Sequence, residues 1–230
     1  MKRYLLVCVS CVIAFLLAGA SGVSAQQKRE GEPIRVGILL LNKPYITEFA
    51  GPLDVYHHVP VEKLNVFIIS DTDQELVTYE GMPFRAHYTI ENAPKLDVLV
   101  VPSGAGSLDA DRKNVRVINW IKKAAREAQF ITSHCEGAFL LGEAGLLENK
   151  DATTFHVDTA ALQQQYPTCR VQKDRRVVVD GNLVTSAGGL ASYEAALYVV
   201  EKLFGKDQAL SIAAALVFGP SNIEAAITTK

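Results

Sequence analysis

The chain has 230 residues, 49% of them hydrophobic and 21% charged, with a formal net charge of −2. Abundant apolar residues exclude collagen-like and disordered classes, and the slight acidity excludes the basic footprint of a nucleic-acid binder. The length fits one large domain or two small ones.

The N-terminus reads as a secretory signal over residues 1–25. Lys2 and Arg3 form a positive n-region and Tyr4 to Ala18 an apolar h-region. Val23-Ser24-Ala25 is a small-residue cleavage site, so the pattern predicts a mature chain from Gln26. That predicts a periplasmic or secreted protein with no stable membrane insertion after cleavage. An uncleaved anchor is the alternative, because the apolar run approaches the ~18 residues of a membrane span. Cys8 and Cys11 have redox-motif spacing but fall inside the h-region, which leaves Cys135 and Cys169 in the mature chain. Cleavage also removes two basic residues, leaving 21 against 25 acidic ones and a mature charge of −4.

Residues 26–33 are polar and read as a flexible leader. Ile34 to Leu41 is a continuous apolar run, the pattern of a strand buried on both faces. Thr47 to Val59 predicts a helix with Pro52 near its first turn. Leu64 to Ser70 predicts a strand, Leu76 to Tyr88 a hairpin around Gly81, and Leu96 to Pro102 a buried strand. A helix over 114–128, a strand over 129–134 and an apolar helix over 136–147 follow. Residues 159–166 predict a short helix. Arg176 to Ser186 predicts a hairpin turning at Asp180-Gly181-Asn182. Helices over 193–204 and 206–217 close the chain. Strands alternating with helices predict an α/β fold: a single-domain three-layer sandwich over 34–219, with a mainly parallel sheet covered on both faces. Residues 220–230 read as a tail, without a helix-turn-helix extension.

The sharpest chemical signal is Ser133-His134-Cys135-Glu136-Gly137, where an apolar strand runs into Cys135 and a helix starts directly after it. This is the layout of a nucleophile elbow with cysteine in place of serine. A helix N-terminus favours thiolate, so the reading predicts a lowered Cys135 pKa and faster alkylation than at Cys169. The bland alternative is a buried core thiol. His134, adjacent on a strand, is expected to point away from Cys135. Cys169 reads as a loop-to-strand residue without a partner. His57-His58 reads as a solvated helix end, since adjacent residues chelate one ion poorly. No nicotinamide or phosphate-binding loop is present, and neither a cofactor nor a metal is expected.

With these motifs the sequence resembles the ThiJ/PfpI superfamily, of the flavodoxin-like, class I glutamine-amidotransferase-like fold. The carriers are Glu48-Phe49-Ala50-Gly51-Pro52-Leu53-Asp54-Val55, the Val101-Pro102-Ser103-Gly104-Ala105-Gly106 turn, the Cys135 elbow, Ala152-Thr153-Thr154, and Gly181 through Gly188. It looks nearest the branch of isonitrile hydratases and AraC-type ligand domains. The resemblance implies that Glu48 is the acidic residue beside the reactive cysteine, and that Gly104 and Glu136 offer backbone N–H groups as an oxyanion hole. It implies a homodimer. It suggests His156 as a base, although Phe155 stands where many members have histidine. Hydratases usually carry Thr after the cysteine and protease-like members His; this chain has Glu136. Two functions stay open: an enzyme on a small electrophile, such as an isonitrile or a glyoxal, and a non-catalytic ligand or redox sensor using the same pocket.

Overall fold

The computed structural model describes residues 31–218 and the strand Ile227–Thr229. The predicted signal and residues 26–30 of the leader lie outside the described residues. β1 (Ile34–Leu39) leads into α1 (Ile46–His57) and then β2 (Leu64–Ser70). The predicted hairpin divides: β3 (Leu76–Val77) and β4 (Pro83–Phe84) pair with each other, while β5 (Tyr88–Thr89) joins the main sheet beside β2. β6 (Val98–Val101), α2 (Ala110–Lys113), α3 (Val115–Glu127), β7 (Phe130–His134) and α4 (Gly137–Glu143) complete the first part of the layered unit. After them come β8 (Asp151–Ala152), α5 (Thr159–Gln165) and β9 (Arg170–Val171). The chain then forms β10 (Val177–Asp180), β11 (Leu183–Ser186), α6 (Ala191–Phe204), α7 (Lys206–Ala215) and β12 (Ile227–Thr229).

The main sheet has eight strands in the order β12-β10-β11-β7-β6-β1-β2-β5, parallel except where β10 and β11 form an antiparallel hairpin. Residues 227–229, read as tail from the sequence, thus form its edge strand. The short β8–β9 ladder was not predicted; two-residue strands carry no periodicity to read. Apart from Arg35 near its start, the run is apolar, and the side chains of β1 alternate between two cores. Ile34, Val36 and Ile38 face the core under α1 and α6, while Leu39 faces the core under α3 and α4. This is why a strand buried on both faces shows no polar alternation. Pro52 lies in the interior of α1, past its first turn. It has no N–H for the Glu48 carbonyl, yet it is buried and tolerated within the helix.

The order of connections positions the site. β1 leads outward through α1 to β2, whereas β6 lies on the other side of β1. The switch of direction opens a crevice at the carboxyl ends of the strands. The carboxyl ends of β6, β7 and β11 lie level there, with Val101 opposite Ser133 and Ser186 opposite His134. Among the described residues no helix is long and apolar enough to cross a membrane.

Candidate active site

Cys135 follows directly after β7 and takes a left-handed φ of +55°. For a non-glycine residue this conformation costs on the order of 1–3 kcal/mol, a strain the surroundings have to hold. They do so from three sides. The Cys135 N–H donates to Ser186 O at 3.0 Å, and Thr154 Oγ1 donates to Cys135 O at 2.9 Å. Gly137, at the start of α4, lies so close to β6 that a Cβ there would stand 2.0 Å from Val101 O. The small residue of the elbow is therefore a requirement of the strand-to-helix reversal.

Glu48 comes from the first turn of α1 and is buried. Its Oε1 accepts from Gly189 N–H at 2.9 Å, and its Oε2 accepts from Ser192 Oγ at 3.2 Å. Gly188 separates it from the cysteine. At φ +87°, a Cβ on Gly188 would sit 2.7 Å from Cys135 Cβ and 2.8 Å from both Glu48 carboxylate oxygens. The 186–189 turn thus brings a carboxyl from one end of the chain against a thiol from its middle. Burial pushes the Glu48 carboxyl up, while the donors from Gly189 and Ser192 pull it down less strongly.

The sulfur itself donates to Glu136 Oε2 at 2.8 Å. The lowered thiol pKa expected from the sequence is overturned. Burial pushes the Cys135 thiol well up, and the Glu48 charge and the Glu136 hydrogen bond and charge push it further. The buried Ser103 hydroxyl favours the thiolate, but it makes no well-formed hydrogen bond and does not offset two carboxylates. The helix N-terminus is likewise outweighed: a desolvated thiol beside two anions resists becoming a third. Burial is also the main cause that raises Cys169, to about 11, with Arg170 opposing it and Asp151 and Asp180 adding to it. Both cysteines are free.

The oxyanion donors expected from the sequence divide. The Gly104 N–H donates to Ser107 Oγ at 2.8 Å, so it is engaged within its own turn. The Glu136 N–H makes no hydrogen bond among the described residues. His156 is exposed and its ring packs edge-on to Phe155, with centroids 4.4 Å apart. It is a neighbour of Asp158, and it is not among the groups that act on the sulfur. Phe155 stands between Thr154 and this exposed histidine.

Asp158 and Ser192 are site residues that the sequence reading does not single out. Both stand at the start of a helix, where Asp and Ser ordinarily signal caps. Asp158 precedes α5 yet makes no capping hydrogen bond with its side chain. Its carboxyl is pushed up first by burial and then by Glu136. Tyr45, at the N-cap of α1, is also raised by burial and then by Glu136.

The His134 ring is turned to Ser186. It is buried, with Nδ1 2.8 Å from Ser186 Oγ and Nε2 without a partner. Burial pushes its pKa down from 6.5 to about 3. The unfolded ring takes up a proton below about pH 6.5 and the folded ring refuses it until about pH 3, so its contribution to stability falls as pH falls through that window. His134→Asn keeps a partner for Ser186 without a titrating ring. Its stability relative to wild type is expected to improve with falling pH by up to about 1.4 kcal/mol per unit. Urea melts between pH 4 and 7 check this; a pH-independent difference would mean that the folded ring protonates freely.

His57 and His58 lie exposed at the end of α1, with His58 Nδ1 2.9 Å from Asp54 O. Among the described residues no cluster of His, Cys, Asp and Glu could hold a metal.

Comparison with known proteins places this geometry. The DJ-1/PfpI family profile matches residues 34–202. The chain belongs to the DJ-1/PfpI family. Isonitrile hydratase of Pseudomonas putida is 31% identical over 189 residues, 82% of this chain and 80% of that protein. The HTH-type transcriptional regulator CdhR of Pseudomonas aeruginosa is 27% identical over 168 residues, 73% of this chain but 49% of the regulator. This DJ-1/PfpI chain therefore spans about half the length of that relative. Among solved structures, a THiJ/PfpI family protein from Pseudomonas syringae superposes with a TM-score of 0.75 at 24% identity, covering 82% of this chain and 76% of that one. Drosophila melanogaster DJ-1beta gives 0.72 at 22% identity over 81% and 99%. At these identities the two structures establish the fold.

Proposed function

We propose that this DJ-1/PfpI protein is a cysteine-dependent enzyme acting on a small electrophilic substrate, in the manner of an isonitrile hydratase or a glyoxalase. The observation that carries the reading is the junction at Gly188, on which the Cys135 side chain and the Glu48 carboxyl both converge at the carboxyl edge of the sheet. Cys135 is the nucleophile and Glu48 the proton relay. A buried carboxyl whose pKa is raised holds a proton more readily than an exposed one and can both give and take it. The Glu136 N–H is the remaining candidate for stabilising negative charge. His156 has no part in this proposal, because it lies exposed on the outer loop.

With an isonitrile, addition of the Cys135 S–H across the terminal carbon gives a thioimidate. Water then adds to that carbon while Glu48 supplies a proton to nitrogen and recovers one from the water oxygen. The C–S bond breaks, the thiol is restored and a formamide leaves. One water is consumed and no electrons change hands.

A redox sensor is the second reading, and the surroundings of the sulfur count against it. Oxidation to sulfenate proceeds through thiolate, which burial and two carboxylates disfavour here. The proposal further places the protein outside the cytoplasm, on the signal pattern of residues 1–25, and takes it to be a homodimer. Tyr79, Val157 and Leu190 are exposed apolar side chains on loops bordering the site, the kind of surface an association would cover.

A panel of isonitriles and glyoxals, assayed with wild type and Cys135→Ala, tests the reading. Turnover of at least one substrate is expected, with loss to background in the variant. Turnover that persists in Cys135→Ala, or a wild type inert to every electrophile, would overturn it.

A further inference from the structure

Of the two carboxylates beside the sulfur, the one that holds its proton is not the one the sequence emphasises. Cys135 Sγ donates to Glu136 Oε2 at 2.8 Å, while both oxygens of Glu48 are occupied by Gly189 and Ser192. Glu48 is buried, whereas Glu136 is half-buried at the rim. Asp158, whose side chain makes no capping hydrogen bond to α5, is a neighbour of Glu136. The loop that carries it is pinned to the elbow by the Thr154 hydrogen bond to Cys135 O.

We propose that Glu136 is the catalytic base that takes the thiol proton of Cys135, in the position after the nucleophile where no histidine is present. This rests on the cysteine-nucleophile reading above. As the sulfur electron pair forms the bond to the electrophilic carbon, the S–H bond breaks and its proton passes to Glu136 Oε2. With an isonitrile, Glu136 delivers that proton to the attacked carbon, which completes the addition and leaves Glu136 ionised. The arrangement gives the raised thiol pKa a use: the thiol stays protonated until a substrate arrives, and the base is already in hydrogen-bond contact.

The groups facing this pair are Glu48 and Tyr45 from α1 and its cap, Ser103 from the loop after β6, and Asp158 with His156 beyond it. The thiol and the carboxylate can therefore be followed together as pH changes. The alkylation rate of Cys135 by iodoacetamide, read by mass spectrometry on the full chain from pH 5.5 to 8.5, gives a readout that does not depend on knowing the substrate. A base that accepts the thiol proton makes the rate nearly flat while the carboxylate is ionised and the thiol is not. In Glu136→Gln the rate is expected to fall about tenfold per pH unit toward acid, following the thiolate fraction. Glu136→Asp keeps a carboxylate and is expected to keep the flat profile at a lower rate, which covers the case of a Gln variant that does not fold. A wild-type rate that falls as steeply as that of an ordinary thiol would overturn the proposal.

Turnover separates a base from a mere suppressor of the thiol. Glu136→Gln relieves the sulfur of a neighbouring charge, so alkylation at high pH rises in either case. Turnover of a panel substrate is expected to fall by roughly 10²–10⁴-fold if Glu136 is the base. A rise in turnover would overturn the role. If Cys135→Ala keeps turnover, the nucleophile reading fails on its own, and the alkylation profiles still decide whether Glu136 takes the proton.

Discussion

Glu48→Gln is expected to lower turnover by roughly 10²–10⁴-fold, the usual contribution of a general acid–base group, while the fold persists. The retained fold follows from the hydrogen bonds. The Gly189 N–H cannot reverse its direction, so the glutamine carbonyl oxygen is fixed as its acceptor. The amide NH₂ then faces Ser192 Oγ, whose hydroxyl can rotate from donating to accepting. What glutamine cannot do is release and recover a proton. A steady-state kcat with a thermal melt at the same pH checks both halves. Wild-type turnover in Glu48→Gln would remove Glu48 as the relay even if Cys135 is the nucleophile. A collapsed melt would show that the carboxyl is structural.

Gly137→Ala is expected to destabilise the protein by about 3 kcal/mol or more, beyond the middle of the overpacking range. Helix propensity argues the other way, since alanine in a helix interior is favoured over glycine by about 1 kcal/mol. The clash wins because of what the new methyl would meet. Its Cβ would lie 2.0 Å from Val101 O, 3.0 Å from Val101 C and 3.2 Å from Pro102 C. These are backbone atoms of a central strand and its exit, with no rotamer to escape into. Relief would require α4 to move off the sheet, which would carry Cys135 away from Glu48. At about 2–4 °C per kcal/mol for a chain of this size, the melting temperature should fall by roughly 6–12 °C. Calorimetry decides it, and an unchanged or raised melting temperature would refute the close approach.

Much of the architecture is legible in the sequence. Apolar runs at 34–41, 64–70 and 96–102 marked the central strands, because a parallel sheet covered on both sides admits no polar face. The small residue at 137 and the strand-to-helix change at Cys135 marked the elbow, because such a reversal leaves no room for a Cβ. The order of several short motifs marked the DJ-1/PfpI family. The divided hairpin, the β8–β9 ladder and the edge strand at 227–229 were not legible. Each is too short to show a period, and each is fixed by the strand it pairs with.

The sequence by itself determined the α/β layering, the place of Cys135 at a strand end and the kind of residue at each candidate position. Those properties follow from local pattern and backbone sterics. The tertiary structure alone decided the burial, the electrostatic surroundings and the hydrogen-bond partners. Glu48 and Cys135 are separated by 87 positions and meet because α1 and the 186–189 turn close on one another. The Gly104 N–H is engaged because Ser107 folds back onto it, and His156 is excluded because its loop carries it outward. The thiol pKa departs from the sequence expectation for the same reason. A helix N-terminus is visible in the sequence, whereas burial and the convergence of two carboxylates are sums over distant segments, and at Cys135 those sums outweigh the local dipole.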